Sequence, residues 1–364
     1  MTQDIKIPFV DLYPQYEELQ TEIDMAIKDI ITRSDYITGP TVDRFEKAIC
    51  EYTGAEDCAS IGSGTNALVC ALKALDIGLN DTVWTVGHTF VSTTEAIVNV
   101  GAKPVFVDID QYYHFDLESA RAPSTPSAIL FVDLYGQTPD IDKLRTYAKK
   151  FGIKLIEDAA QSFGAEYNGK KVGSLVDLTC FSFNPVKNLG AMGDAGAVTG
   201  RKELVDKVRM YRDHGRKTKF EYDKVGYNAR IDNLQAVVVE AKLKKIDKWL
   251  DKKRQICRRY TEQLNDIVKC PKEAPWSTHS YYVYVVETPK GTRDKLQKYL
   301  KDKGIATNIH YKFPTHITKA FNDGTILPRT EYVCDNILSL PCYHTLPEHH
   351  QDYIIKAIRD FYAN

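Results

Sequence analysis

Apolar positions recur along this chain with two different periods. Leu19, Ile23, Ala26, Ile27 and Ile30 return every three to four residues, which predicts a helix over 16–31. From about residue 55 to 200 the pattern changes. Short β-rich runs at 58–61, 82–86, 103–108, 128–134, 154–157, 178–183 and 196–199 alternate with helical stretches such as 66–75 and 141–151. Such alternation predicts βα units around a largely parallel sheet covered on both faces. Ligands in folds of this kind gather at the carboxyl ends of the strands. Residues 201–265 are charged and helical, with one or two helices over 232–265. A strand at 281–286, a helix at 292–303, a short strand at 306–310 and a last helix from Glu348 then suggest a smaller α/β unit. The expected organisation is an arm and helix over 1–35, a large domain over 36–245 and a small C-terminal domain over 246–364.

Composition narrows the function classes. The 364 residues are 43% hydrophobic, enough for a sizeable core in about two domains. Lys and Arg number 48 and Asp and Glu 49, so the net charge of -1 gives no global attraction to nucleic acid. The basic stretch 201–265 is interleaved with Glu240, Asp247, Asp251 and Glu262, the pattern of a solvated helix face. No apolar run approaches the roughly 20 residues that span a bilayer. Met1–Lys6 lacks a basic region followed by an apolar one, so no signal peptide is expected. The eight cysteines sit in apolar stretches without CxxC spacing. They are expected to be buried free thiols of a cytoplasmic protein, with no metal site. His344, His349 and His350 are expected on a solvated C-terminal surface.

Three motifs carry candidate chemistry. In Ile61-Gly62-Ser63-Gly64-Thr65-Asn66 a strand ends in a small-residue turn that opens a helix. First-turn N–H groups and the helix dipole favour an anion there, although an ordinary capped turn looks the same. In Leu155-Ile156-Glu157-Asp158-Ala159-Ala160-Gln161 an apolar strand delivers two adjacent carboxylates to its end. Neighbours on a strand face opposite ways, so one of them can meet a given ligand, or an Asp can cap the next helix. In Phe181-Ser182-Phe183-Asn184-Pro185-Val186-Lys187-Asn188 a strand runs into a turn with a lone lysine before the Gly-rich apolar stretch 189–198. A desolvated lysine has a lowered pKa and forms Schiff bases, whereas an exposed loop lysine does not. Together, an anion cradle, a strand-end carboxylate and a strand-end lysine are the parts a pyridoxal phosphate (PLP) site requires.

At these residues the chain resembles the DegT/DnrJ/EryC1/StrS family of nucleotide-sugar aminotransferases, within the fold-type I aspartate aminotransferase superfamily. The resemblance runs through Ile7-Pro8-Phe9-Val10-Asp11-Leu12, Tyr36-Ile37-Thr38-Gly39-Pro40, Gly226-Tyr227-Asn228-Ala229-Arg230-Ile231-Asp232, Ile309-His310-Tyr311 and Leu338-Ser339-Leu340-Pro341. It implies a PLP-dependent α/β fold with a mainly parallel central sheet in the large domain and a smaller C-terminal α/β domain. It further implies that Lys187 is the Schiff-base lysine and proton shuttle. Asp158 would pair with the pyridine nitrogen and Gln161 would meet the ring's phenolic oxygen. Gly64, Thr65 and Ser182 would bind phosphate, and Phe90 would stack on the ring. Asn228 would reach the phosphate of the neighbouring subunit, making the active site a property of a homodimer. His310 and Tyr311 would face the sugar nucleotide. Three positions depart from the family pattern: Ala195 in Gly193-Asp194-Ala195-Gly196, Val186 before the lysine, and Tyr282 where many members carry His.

The implied reaction moves an amino group from L-glutamate to a keto sugar for amino-sugar biosynthesis, as in O-antigen or lipopolysaccharide. The stretch 228–232 resembles members acting at carbon three, which points to a 3-keto nucleotide sugar. A 4-keto nucleotide sugar or another keto sugar is the alternative. A PLP-dependent sugar dehydratase carries His in place of the lysine, so Lys187 argues against it. A non-catalytic regulator has no need of all three motifs.

Overall fold

The protein is described here by a computed structural model covering residues 6–120 and 125–363. The first five residues of the arm, which make up most of the segment read for a signal peptide, lie outside the described residues.

Two helices open the fold, α1 (Tyr13–Arg33) and α2 (Pro40–Thr53). Each begins with Pro in its first turn, where the missing N–H costs nothing. Then come β1 (Asp57–Ile61), α3 (Gly64–Ala74), β2 (Thr82–Val86), α4 (Val91–Asn99), β3 (Lys103–Val107) and β4 (Ala128–Val132). They are followed by α5 (Ile141–Phe151), β5 (Lys154–Asp158), the short β6 (Glu166–Tyr167) and β7 (Lys170–Lys171), β8 (Leu178–Ser182) and β9 (Gly196–Gly200). Beyond lie α6 (Lys202–Arg212), α7 (Asn233–Leu243), α8 (Ile246–Leu264), β10 (Ser277–Thr278) and β11 (Tyr284–Glu287). The chain ends with α9 (Arg293–Asp302), α10 (Pro328–Asn336), β12 (Ile337–Leu340) and α11 (Glu348–Ala363).

The central sheet has the order β1-β9-β8-β5-β4-β2-β3. The pairs β3–β2, β2–β4, β4–β5 and β5–β8 are parallel, and β9 runs antiparallel to both of its neighbours. Strand alternation sends Trp84, Phe131 and Phe181 into one apolar cluster and Val83, Leu130 and Cys180 into another. Both faces are therefore covered, as near-continuous apolar strands require. Each fully buried large side chain, Phe131 and Phe181 among them, contributes about 1.5–3 kcal/mol of transfer free energy. A third cluster joins Tyr260, Tyr284, Leu296, Leu300, Ile354 and Ile358 around the antiparallel pair β11–β12. Ile7 of the arm belongs to it, tied by backbone bonds to Gly304 and Ala306.

Several expectations shift at points with local causes. β4 stops at Val132 because Leu134–Gly136 form a 3-10 turn with Tyr135 at φ 65°. The strand expected from 281 starts only at Tyr284, since Tyr281 sits at φ 46° and breaks the extended run. The stretch 306–310 is not a strand; it makes a lone bridge, Asn308 to Ser339. Helices α2, α4 and α10 and strand β12 were not legible as elements. The eight cysteines are unpaired, seven of them buried. His344 is buried against Trp249, with ring centroids 5.0 Å apart, rather than on the surface. Among the described residues no helix is long and apolar enough to cross a membrane, and no group of three or more His, Cys, Asp or Glu is placed to hold a metal.

Candidate active site

A cavity of about 540 Å3 opens where β1, β5 and β8 end. Its size is that of a small-molecule site. At the β1–α3 junction Ser63 caps the helix, its Oγ accepting from Asn66 N at 3.2 Å. The first-turn N–H groups of Gly64 and Thr65 have no intrahelical partner by construction. A Cβ on Gly64 would lie 2.6 Å from Ser182 Cβ, so only glycine lets the end of β8 approach this turn. Thr65 Oγ1 and Ser92 Oγ are 2.8 Å apart, and Ser92 belongs to the first turn of α4. Two helix N-termini, with hydroxyls from Ser63, Thr65, Ser92 and Ser182, thus line the cavity, the donor set a phosphate needs.

At the end of β5 the two carboxylates part. Asp158 lines the cavity, buried, with Oδ2 accepting from Thr93 Oγ1 at 2.7 Å and Oδ1 from Ala160 N at 3.2 Å. Burial raises its pKa, and the Thr93 and Ala160 bonds and the Lys187 charge oppose that rise. Glu157 faces the other side, where its Oε2 accepts from Thr179 Oγ1 at 2.7 Å. Burial raises it to about 7 beside the buried Asp133, which burial and the Glu157 charge raise well above the carboxylate range.

Lys187 follows a turn closed by its own N–H on Asn184 O at 2.9 Å. Desolvation lowers its pKa to about 8, and Asp158 pulls the other way. Its Nζ sits 4.4 Å from the centroid of Tyr282, the residue that departs from the family's His. The loop around it is fixed on several sides. Lys253 Nζ donates to Asn188 Oδ1 at 2.7 Å and Tyr282 O at 3.2 Å, and Lys242 Nζ donates to Gly190 O at 2.7 Å. A Cβ on Gly190 would meet Pro185 O at 2.3 Å, which keeps that position bare. Of the other departures, Val186 lines the cavity and Ala195 is buried with its carbonyl accepting from Phe183 N at 2.8 Å.

The opposite wall comes from the C-terminal part: Tyr282, Asn308, Ile309, His310 and Tyr311. Asn308 Nδ2 donates to His310 Nε2 at 3.4 Å, so His310 Nδ1 carries the proton and donates to Ser339 Oγ at 2.8 Å. Burial, with the Lys187 charge adding, lowers His310 to about 4, so the ring is neutral. Gln161 Nε2 donates to Tyr311 Oη at 2.9 Å, and the rings of Phe90 and Tyr311 are 5.9 Å apart.

Gly64, Thr65, Phe90, Asp158, Gln161, Ser182, Lys187, His310 and Tyr311 therefore meet in one cavity. Asn228 does not line it; its Oδ1 accepts from Arg230 Nη2 at 2.9 Å. Sequence reasoning passed over Ser92, Thr93, Asn184, Asp194 and Asn308. The β-branched run after Phe90 hides the start of α4, and with it Ser92 and Thr93. The residues present fit PLP: a donor-lined anion cradle that a Cβ would block, a buried carboxylate facing inward, and a desolvated amine.

Comparison with known proteins agrees with this geometry. The family model of the DegT/DnrJ/EryC1/StrS aminotransferase family matches residues 17–359. A pleiotropic regulatory protein of Geobacillus stearothermophilus is 38% identical, covering 99% of this chain and 100% of its own. A UDP-N-acetyl-3-dehydro-alpha-D-glucosamine 3-aminotransferase of Acidithiobacillus ferrooxidans is 37% identical, covering 99% of each. The Bacillus subtilis protein NtdA, solved with bound cofactor PMP, superposes with a TM-score of 0.92 at 26% identity, covering 100% of this chain and 87% of its own. With the motif residues gathered in one cavity and the match spanning nearly the whole length, the chain belongs to the DegT/DnrJ/EryC1/StrS aminotransferase family.

Proposed function

We propose that this protein moves an amino group from L-glutamate to a nucleotide-linked 3-keto sugar, with PLP as cofactor, in amino-sugar biosynthesis such as that of lipopolysaccharide. The observation that carries the proposal is the meeting of Lys187 and Asp158 in one cavity with the first turns of two helices. Bound there, PLP supplies the electron sink for the carbon that gives up its proton. Asp158 would pair with the ring nitrogen and favour a proton on it. Gly64, Thr65 and Ser182 bind the phosphate, Phe90 flanks the ring, and Gln161 turns its amide NH2 toward the phenolic oxygen. Lys187 would hold the cofactor through its amine and, once freed, would serve as the base that takes the proton from the donor's α-carbon. A pKa of about 8 leaves part of its amine neutral near neutral pH, as a base requires. His310 and Tyr311 face the sugar.

Carbon three is supported by the relatives. Those named for a 3-amino or 3-oxo nucleotide sugar are 35–37% identical, and one named for a 4-amino sugar is 32% identical. A homodimer with shared sites is supported by charge and exposure. Lys187 is the one cation lining the cavity among the described residues, yet a dicarboxylate and a diphosphate both need positive partners. The segment carrying Arg216, Lys217, Lys219 and Lys224 presents Phe220 at 81% and Val225 at 91% exposure, and it leads to Asn228. In this reading Asn228 reaches the phosphate in a second copy. The unpaired thiols support a cytoplasmic setting.

The test is a screen of UDP- and dTDP-linked 3-keto and 4-keto sugars with L-glutamate, read by mass. Amination of a 3-keto sugar is expected. Product from 4-keto sugars alone, a dehydrated product, or none would overturn the proposal.

A further inference from the structure

Tyr135 does not line the cavity, yet it bonds to three residues that do. It is buried, in the turn after β4, and holds a left-handed φ of 65° that a non-glycine residue adopts only when its surroundings enforce it. Its N–H donates to Gln161 Oε1 at 2.8 Å. A backbone N–H can only donate, so Gln161 must present its oxygen here and its NH2 to Tyr311 Oη, 2.9 Å away. The carbonyl of Tyr135 accepts from Tyr282 N at 2.8 Å, and its phenol donates to the carbonyl of His310.

The phenol's direction is also determined. A carbonyl can only accept, so the hydroxyl proton points to His310 O, and the phenol oxygen accepts from His88 Nε2 at 2.7 Å. His88 Nδ1 then carries a lone pair and accepts from the Cys334 thiol at 3.2 Å. Thiol, imidazole, phenol and carbonyl form a one-way chain through the interior, and burial keeps His88 neutral. The aromatic ring itself packs edge-on against His88 and Tyr113, with centroids 5.8 and 5.3 Å away.

We infer that Tyr135 is a positioning residue, backed by His88, that holds the acceptor-facing wall of Tyr282, His310 and Tyr311 in register with Gln161 on the cofactor side. Lys253 and the Lys187–Tyr282 ring contact tie the wall to the lysine loop. Among the described residues, however, the phenol of Tyr135 bonds only to His88 and to the His310 carbonyl, so its loss bears on the wall and, in this reading, on the half-reaction that consumes the sugar. The inference rests on the proposed assignment of His310 and Tyr311 to the sugar side.

Tyr135→Phe keeps the ring packing and removes only the hydroxyl. Holoenzyme of this variant is compared with wild type in the two half-reactions, L-glutamate with the PLP form and UDP-2-acetamido-3-keto-glucose with the PMP form. Donor kinetics should stay within about twofold, while acceptor KM rises about tenfold or more, the order of effect a wall displaced by up to 1 Å produces. His88→Ala should show the same split, and His88→Gln, whose amide can still donate to the phenol, should recover part of it. If Tyr135→Phe does not fold, the two His88 variants decide the matter. Equal slowing of both halves, or no change in either, would overturn the inference. Should wild type refuse every keto sugar, the proposed function fails separately. The crystal structure of Tyr135→Phe then decides: loss of the Gln161–Tyr311 bond upholds the inference, and an unmoved wall sinks it.

Discussion

The floor of the cavity, which we propose holds the cofactor, and the wall opposite, which we propose faces the acceptor, are built by different means. The first stands on strand ends: Ser63–Thr65 after β1, Asp158 closing β5, Ser182 closing β8. β5 and β8 are hydrogen-bonded on both sides and the edge strand β1 to β9 on one, and Cys180 lies in register with Asp158 and Asp158 with Val132. The wall stands on irregular chain at 281–282 and 308–311, interrupted by a left-handed Tyr281 and held by side-chain bonds with Tyr135, Gln161 and Ser339 and by a few backbone bonds to Tyr135 and Ser339. A sheet-anchored floor resists displacement, so it suits chemistry common to every substrate. A wall held by a few isolated bonds can be rebuilt by single substitutions without disturbing the sheet, which suits a surface that would set acceptor specificity.

The most severe way to test this division removes the reactive amine. Lys187→Ala should cut turnover by about 10⁴-fold or more. Borohydride labelling should fall at position 187 in wild type and vanish in the variant, with far-UV circular dichroism unchanged, because a functional group is lost and no core volume. A folded variant with wild-type turnover would remove Lys187 from the chemistry. Next in size is Asp158→Asn, which keeps the Thr93 bond but leaves no charge to pair with a protonated ring nitrogen. Stopped-flow of the glutamate half-reaction should slow about 10²-fold, with acceptor KM nearly unchanged. A comparable loss in acceptor KM would show that floor and wall are not separable.

The smallest effect lies on the reverse of the floor, at Glu157. Burial raises its carboxyl from the ordinary 4.5 to about 7 in the fold. Between those values the folded state keeps a proton that the unfolded state has lost. The contribution of this carboxyl to stability therefore falls as pH rises through this window and stays lower above it. Glu157→Gln should flatten that slope and gain about 1 kcal/mol or more relative to wild type at pH 8, read by urea unfolding at pH 5 and pH 8. Equal slopes in wild type and variant between these pH values would show that Glu157 is not the group responsible. Glutamate half-reaction rates should hardly move, since Glu157 lines the opposite face.

The floor was legible because strand period and motif spacing are local. The run 154–157 predicted a strand and the alternation rule predicted that one of Glu157 and Asp158 would face a ligand; the structure puts Asp158 in the cavity. The turn at Ser63–Thr65 and the lysine after Ser182 were visible for the same reason. Helix α4 was not, because its Val and Thr residues favour strands and its helix is set by packing against α3 and the sheet. Thr93, the residue that bonds Asp158, was hidden with it. Stretch 306–310 reads as a short strand, but extended backbone needs a neighbour to pair with, and it finds a single bridge.

Sequence alone determined the alternation of strands and helices, the resemblance, and which residue types stand at each strand end, because these depend on periodicity and spacing within one segment. Tertiary structure alone decided which face of β5 lines the cavity, that Lys187 is desolvated beside Tyr282, and that Tyr135 joins turn, strand end and C-terminal wall. Those facts depend on groups up to 175 positions apart, such as the phenol of Tyr135 and the carbonyl of His310. Burial and hydrogen-bond direction between such groups exist only once the chain has closed around them.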